Sequence, residues 1–175
     1  LVRTLENNSN PTVGLLNIGS EEVKGNVTVK TAYKLFQSSP INFVGYVEGD
    51  DIFNGEVDVI VCDGFAGNVA LKTSEGLAQM LTKAVKEEYM RSLWSRFLAV
   101  LSTPVLNAIR TRIDHRRYDG AVLVGLSGTV VKSHGGTDEL GFTHAIRVGE
   151  TAVRTNLVAQ IRDDLSLLNQ QQISA

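Results

Sequence analysis

The sequence predicts an α/β fold, with long helices covering both faces of a parallel or mixed sheet. Three observations carry that prediction. Short apolar runs rich in β-branched residues, such as Val59-Ile60-Val61, alternate with long segments of helical periodicity. The runs read as buried strands, and alternation with helices is the order that gives a covered sheet. At 175 residues, with 43% hydrophobic and 21% charged content, the chain fits one ordinary domain and can bury a sizeable core.

The elements follow in order. Val13 to Ile18 is the first strand, and Gly19-Ser20 then leads into a helix with Glu21-Glu22 in its first turn, where acidic side chains suit the helix dipole. That helix runs to about Phe36 and ends at Ser38-Ser39-Pro40. Asn42 to Val47 and Val57 to Cys62 are the next two strands, followed by a long helix from about Gly67 to Tyr89. Beyond a distinct region at 90–118, Ala121 to Leu126 and Thr129 to Lys132 form two short strands. Gly135-Gly136-Thr137-Asp138 opens a final helix through about Leu168. Internal repeats and low-complexity linkers are absent.

Composition excludes several classes of function. A net charge of −2 argues against a dedicated nucleic-acid binder. A lone cysteine, Cys62, rules out an intrachain disulfide framework and a cysteine-based zinc site, and suits the reducing cytoplasm. Leu1-Val2-Arg3-Thr4 does not begin a signal peptide, and the missing initial Met suggests a processed product or a fragment. No apolar run approaches the roughly 20 residues that span a bilayer, so a soluble or peripheral protein is expected.

Residues 89–113 stand apart. They contain no acidic residue and four arginines (Arg91, Arg96, Arg110 and Arg112), so this stretch carries +4 within a chain of net −2. Met90, Trp94, Phe97 and Leu101 are spaced for one helical face, and Pro104 after Ser102-Thr103 is expected to break the helix into a hairpin. Such a basic, amphipathic element suits a membrane surface. It suits equally a core or dimer-interface hairpin whose arginines face solvent.

The chemistry candidates lie where strands end. Asp63-Gly64-Phe65-Ala66-Gly67-Asn68 joins a strand to a helix, where backbone N–H groups can meet an anion. Asn68 and Lys72 lie four apart, on one helical face beside that end. The structural alternative is a turn in which Asp63 caps the helix and the glycines supply positive φ. Asn17, Gly19 and Lys24 follow the first strand, where ligands collect in open α/β sheets, although Lys24 taken alone reads as an exposed helix lysine. Lys132-Ser133-His134-Gly135 ends another strand; His134 is an acid–base candidate or a loop histidine satisfied by backbone. Neither a phosphate loop nor a dinucleotide fingerprint is present, and Ser127 lacks a nucleophile elbow. His115 and His144 lack metal-ligand spacing, and neither metal nor cofactor is expected.

Taken together, Gly14-Leu15-Leu16-Asn17-Ile18-Gly19, Lys24-Gly25-Asn26, Val47-Glu48-Gly49-Asp50-Asp51-Ile52-Phe53, Asp58 to Asn68 and Val130-Val131-Lys132-Ser133-His134-Gly135 resemble the PlsX family. These are bacterial acyl-[acyl-carrier-protein]:phosphate acyltransferases of phospholipid synthesis. The matches keep their order over roughly residues 11–160 and are specific as a set. The resemblance implies a three-layer α/β/α fold with a mostly parallel mixed sheet, like that of isocitrate and isopropylmalate dehydrogenases, working as a homodimer. Family members are about twice this length, and their glycine-rich Asp-Ala-Met-Gly-Gly-Asp motif is absent here. Residues 1–175 therefore correspond to a single α/β unit, the C-terminal part of a longer enzyme, with 89–118 as a projecting helical hairpin.

The implied reaction moves a long-chain acyl group from a carrier-protein thioester to inorganic phosphate. Phosphate near neutral pH is already substantially dianionic, so the protein must chiefly bring two anions together and stabilise an oxyanion. By this resemblance Lys24 binds phosphate and Asn68 hydrogen-bonds the thioester oxygen, as the two catalytic residues. Asn17, Gly19, Asp63, Gly64, Gly67, Lys72, Lys132, Ser133, His134 and Gly135 line the substrates, with backbone N–H groups near Gly67 assisting. The hairpin is then favoured as a contact with the anionic membrane surface through Trp94, Phe97, Leu98, Arg91, Arg96 and Arg110, and the same arginines suit the acidic carrier protein. The implied location is cytoplasmic and peripherally membrane-associated. Two other functions stand beside this one: a phosphotransacetylase-like enzyme using acyl-CoA, and a catalytically incomplete dimerisation or membrane-binding module.

Overall fold

The computed structural model describes residues 1–114, 116 and 119–173, with side chains through Ser166. It is a mixed α/β structure in two compact units, one formed by residues 1–68 and 151–175 and the other by residues 69–150.

The first unit is built on three parallel strands, β1 (Thr12–Leu16), β2 (Asn42–Val47) and β3 (Val59–Val61), in the order β2-β1-β3. Leu16 pairs with Val47 and Leu15 with Val61, so all three strands deliver their carboxyl ends to one edge. Gly14 has no alternative in the central strand, because a Cβ there would lie 2.2 Å from Val47 Cγ2. Asp58 pins the opposite edge: its carboxylate accepts from Thr12 N and Thr12 Oγ1, both at 2.7 Å, while Asp58 N donates back to Thr12 Oγ1 at 2.9 Å. Leu15, Val47, Ala152 and Leu157 form the buried core of this unit. Helix α2 (Val27–Gln37) lies against β2 through aromatic contacts, Tyr33 with Phe43 and Tyr46, and Phe36 with Phe43. The short α1 (Val2–Leu5) is tied to α6 (Leu157–Ile173) by an Arg3–Asp164 ion pair and by Thr4 Oγ1 donating to Gln160 Oε1 at 2.6 Å.

In the second unit, a pair of antiparallel strands, β4 (Ala121–Val122) and β5 (Val131–Lys132), sits beside α5 (Glu139–Arg154). Gly120 allows that approach, since a Cβ on it would meet Ala145 Cα at 2.9 Å and its φ is +114°. The long α3 (Gly64–Met90) leads from the first unit into the second, and α4 (Leu93–Arg112) follows after a break at Arg91-Ser92. Ser92 caps α4 by accepting from Ser95 N at 3.0 Å.

Several expectations need correction. Glu21-Glu22 do not open a helix: residues 20–25 form a turn-rich loop, and α2 begins at Val27 with the Asn26 side chain accepting from Val29 N at 2.9 Å. Pro104 does not break its helix, and α4 continues through it. The proline removes only one donor, and the neighbouring Val100 and Val105 are solvent-exposed, so water can satisfy the carbonyl it leaves unbonded. The final helix is two helices, separated at Asn156, which takes a left-handed φ of 52°. The strands around β3, β4 and β5 are shorter than expected. His115 lies outside the described residues. Among the described residues, no helix is long and apolar enough to cross a membrane.

Candidate active site

The carboxyl ends of β1 and β3 lie side by side, so the loop after Leu16 and the turn after Val61 open on the same edge of the sheet. Asn17 is the buried polar residue of that edge. Its backbone N–H donates to Val47 O at 2.9 Å, while its Nδ2 donates to Gly19 O at 3.1 Å and Lys24 O at 3.4 Å. One side-chain amide thus shapes the whole 19–24 loop. Gly25 closes the loop at φ +89°, where a Cβ would lie 2.4 Å from Asn17 Oδ1.

Lys24 lies over Gly19, where a Cβ would come within 2.4 Å of Lys24 Cδ. Its ammonium is held 2.8 Å from Glu21 Oε2. The hydrogen bond to Glu21 raises the lysine pKa and lowers that of the carboxylate. Glu48, at the end of β2, accepts from Ser20 N at 3.1 Å. Lys24 is therefore a charged, half-exposed cation on a loop built to present it.

Across the edge, Asp63 caps α3. Its Oδ1 accepts from Phe65 N and Ala66 N, both at 2.9 Å, and its carbonyl accepts from Gly67 N at 3.0 Å. The N–H groups expected to cradle an anion near Gly67 are thus already engaged by the capping residue. Gly67 is constrained by Cys62, whose Sγ would lie 2.8 Å from a Cβ there. Asn68 is exposed one turn further along, on the face it shares with Lys72. Lys24 and Asn68 are both solvent-accessible on this edge, as are Ile18, Glu21 and Phe65.

Within the second unit, the loop after β5 is organised by Asp119. Its carboxylate accepts from Ser133 Oγ at 2.8 Å, His134 N at 2.8 Å and Thr137 Oγ1 at 2.6 Å. The Thr137 bond leads in holding the Asp119 carboxyl down at about 2, with Ser133 and the backbone N–H groups adding to it against a burial cost. His134 meets α3: its Nε2 lies 3.1 Å from Lys72 Nζ and 3.7 Å from Glu75 Oε1, and Lys72 Nζ is 2.7 Å from Glu75 Oε2. Lys72 and His134 are thereby brought together, whereas Lys132 is exposed on β5 and Gly135 lies in the adjoining turn.

Sequence reasoning missed Asp119, Glu75 and Arg116. Arg116 forks onto Asp114 at 2.7 and 2.6 Å and reaches Asp138 at 2.6 Å, and Asp138 in turn accepts from Gly141 N at 3.1 Å as the cap of α5. These contacts raise the arginine pKa, the Asp114 hydrogen bond leading. Only Glu75 carried a sequence signal, its three-residue spacing from Lys72 on a helix. Among the described residues, no group of three or more His, Cys, Asp and Glu is placed to hold a metal ion.

On the basic element, Trp94 and Phe97 stack with ring centroids 5.5 Å apart, and both are exposed along with Leu93, Leu101, Val105 and Ile109. Arg91 pairs with Glu88 at 3.3 Å, and Arg96 donates to Met90 O at 3.3 Å. Leu98 joins Ala84, Val85, Glu88, Tyr89 and Ser95 around a groove of about 520 Å³.

Comparison with known proteins places these features in context. A family model described as "Fatty acid synthesis protein" matches residues 1–160. The phosphate acyltransferases of Paraburkholderia xenovorans (strain LB400) and Paraburkholderia phytofirmans (strain DSM 17436 / LMG 22146 / PsJN) are each 56% identical to the chain over 161 residues. Each alignment covers 92% of this chain and 44% of the relative, so the chain spans less than half the length of the curated relatives it matches.

Proposed function

The chain belongs to the fatty acid synthesis protein family, the PlsX family, and on that premise we propose that it acts within a phosphate acyltransferase. The reaction transfers a long-chain acyl group from acyl-[acyl-carrier-protein] to inorganic phosphate, giving acyl phosphate and the free carrier thiol. The identity to phosphate acyltransferases over 92% of the chain supports this reading most strongly. The geometry that suits it best is the shared strand edge, where a loop presenting the Lys24 cation and a helix start carrying Asn68 open side by side.

In this reading phosphate needs no strong base, since its dianion is the nucleophile. Lys24 offsets the charge of the incoming phosphate, exchanging its Glu21 partner for the substrate. Asn68 donates to the thioester oxygen as it becomes an oxyanion. Because Asp63 engages the amides at 65, 66 and 67, that stabilisation rests on side chains. Asn17 and Gly19 seat Lys24; Asp63, Gly64 and Gly67 set the start of α3; and Lys72, Lys132, Ser133, His134 and Gly135 are further substrate-binding candidates. The finer architecture belongs to the same proposal: a three-layer α/β/α homodimer whose 1–175 portion is the C-terminal part of a longer enzyme. The exposed Trp94, Phe97 and Leu98 and the arginines Arg91, Arg96 and Arg110 fit contact with an anionic bilayer, giving a cytoplasmic, peripherally membrane-associated enzyme.

The test is release of carrier thiol from long-chain acyl-carrier protein by the full-length protein, with and without phosphate. Release that requires phosphate supports the proposal, and release indifferent to phosphate sinks it. Equal or better use of acyl-CoA assigns the donor to the phosphotransacetylase-like alternative. Sedimentation with anionic vesicles tests the basic helix α4: Trp94→Ala with Phe97→Ala should abolish binding, and unchanged binding removes the insertion model.

A further inference from the structure

We propose that Asn54-Gly55 is a site of spontaneous deamidation, restrained by Asp51 and coupled through Glu48 to the loop that carries Lys24. Asn54 is the single asparagine of the sequence that precedes a glycine. Both residues are exposed between β2 and β3. Among the described residues, no hydrogen bond holds the Gly55 N–H. Gly55 takes φ +73°, and apart from its chain neighbours nothing lies within 4 Å of where its Cβ would stand. The peptide joining the two residues therefore has room to turn. In the reaction the Gly55 nitrogen attacks Asn54 Cγ, forming a C–N bond and closing a cyclic imide. The side-chain nitrogen leaves as ammonia, its extra proton balanced by the one that the attacking N–H gives up. Water then opens the imide at either carbonyl and leaves aspartate or isoaspartate at position 54.

The turn opposes this chemistry. Asn54 closes the short 3-10 helix Asp51–Phe53 at φ −72°, ψ −23°. Its backbone N–H donates to Asp51 O at 3.0 Å, and its Nδ2 donates to Asp51 Oδ1 at 3.1 Å. Ring closure requires the peptide after Asn54 to swing toward Cγ and the side-chain amide to leave that carboxylate. Asp51 is thus the restraint. Its Oδ2 accepts from Glu48 N at 3.1 Å, and Glu48 Oε1 accepts from Ser20 N, also at 3.1 Å. Ser20 adjoins Gly19, over which the Lys24 side chain lies. Deamidation removes the Nδ2 donor and sets a second carboxylate against Asp51, three residues away on one turn. The repulsion shifts Asp51 off Glu48 N, and the grip of Glu48 on Ser20 slackens with it.

Time-resolved peptide mass spectrometry on the full-length protein, held in warm and mildly alkaline buffer, tests the chemistry. Asn54 should convert at least about tenfold faster than Asn8, which precedes a serine. Asp51→Ala should speed that conversion about fivefold, the worth of one released hydrogen bond. The coupling is read by hydrogen exchange in Asn54→Asp, which supplies the product charge at once. Its Ser20 amide should exchange about fivefold faster than in wild type, while the Asn17 amide, bonded to Val47 O, keeps its rate. Conversion no faster than at Asn8, or a rate unmoved by Asp51→Ala, would overturn the proposal. So would Ser20 exchange equal to wild type in Asn54→Asp, or exchange raised equally at Asn17 and Ser20. None of these readouts involves acyl transfer, so the proposal stands or falls apart from the transferase reading.

Discussion

The loop after β1 takes its shape from a neutral amide, whereas the loop after β5 takes its shape from a carboxylate. Asn17 donates from a buried position to the carbonyls of Gly19 and Lys24, and its bonds carry no net charge. Asp119 accepts from two hydroxyls and a backbone N–H, and must remain ionised to accept all of them. The first loop presents a cation already paired with Glu21, and its amide scaffold adds no further charge beside Lys24. The second loop presents a histidine whose backbone is held from behind by a negative scaffold. Scaffold chemistry in each case complements what the loop displays.

The contrast can be broken most directly at Asn17. Its replacement by Ala leaves two loop carbonyls without their donor in a buried setting, and should cost about 2 kcal/mol in urea unfolding together with most of the acyl-transfer activity. Full activity in Asn17→Ala would show that the loop does not depend on the amide.

Acid should separate the loops next. Asp119 is lowered from an ordinary 3.8 to about 2, so its contribution is complete above the unfolded value and lost as pH falls through the folded one. Hydrogen-exchange protection of the His134 amide, corrected for intrinsic rate, should therefore decline between about pH 4 and pH 2. The Asn17 amide, bonded to Val47 O, should show no such step of its own. Parallel loss at both amides would mean that the two loops melt together.

The smallest effect is expected at Gly19. An Ala there pushes against Lys24 Cδ, the far part of a flexible side chain, and leaves the Asn17 bonds in place. Phosphate-dependent kcat/KM should fall about tenfold with stability within about 0.5 kcal/mol of wild type. A large stability loss would assign Gly19 to the scaffold instead of to the seat of the cation.

Local patterns made much of the fold readable. Strand β2 was legible to the residue, Asn42 to Val47, because an apolar run between Pro40 and an acidic turn allows few alternatives. The start of α2 was misread because Glu21-Glu22 imitates an acidic first turn. The competing bond, from Asn17 to the Lys24 carbonyl, spans seven residues and has no signature in periodicity. Gly25 followed by the N-cap Asn26 was the local signal of the true helix start, and it was passed over. Proline misled in the other direction, since a lost donor matters little on a helix face open to water. The site divided the same way. Lys24, Asn68 and His134 were visible as residues at strand ends, while Lys72 and His134 are 62 positions apart and meet only through tertiary structure. Asp119 was invisible because its work is done for other residues' backbone and hydroxyl groups.

The stacked pair on α4 has an optical consequence. Trp94 is the single tryptophan of the sequence, and it is 68% exposed. Excitation near the indole band therefore reports on one helix alone, free of any signal from the sheet or the loops. A blue shift on adding vesicles, carrier protein or a second copy, or quenching by a water-soluble agent, reads the surroundings of that element directly. The most exposed aromatic of the basic helix is in this sense a probe the protein already carries.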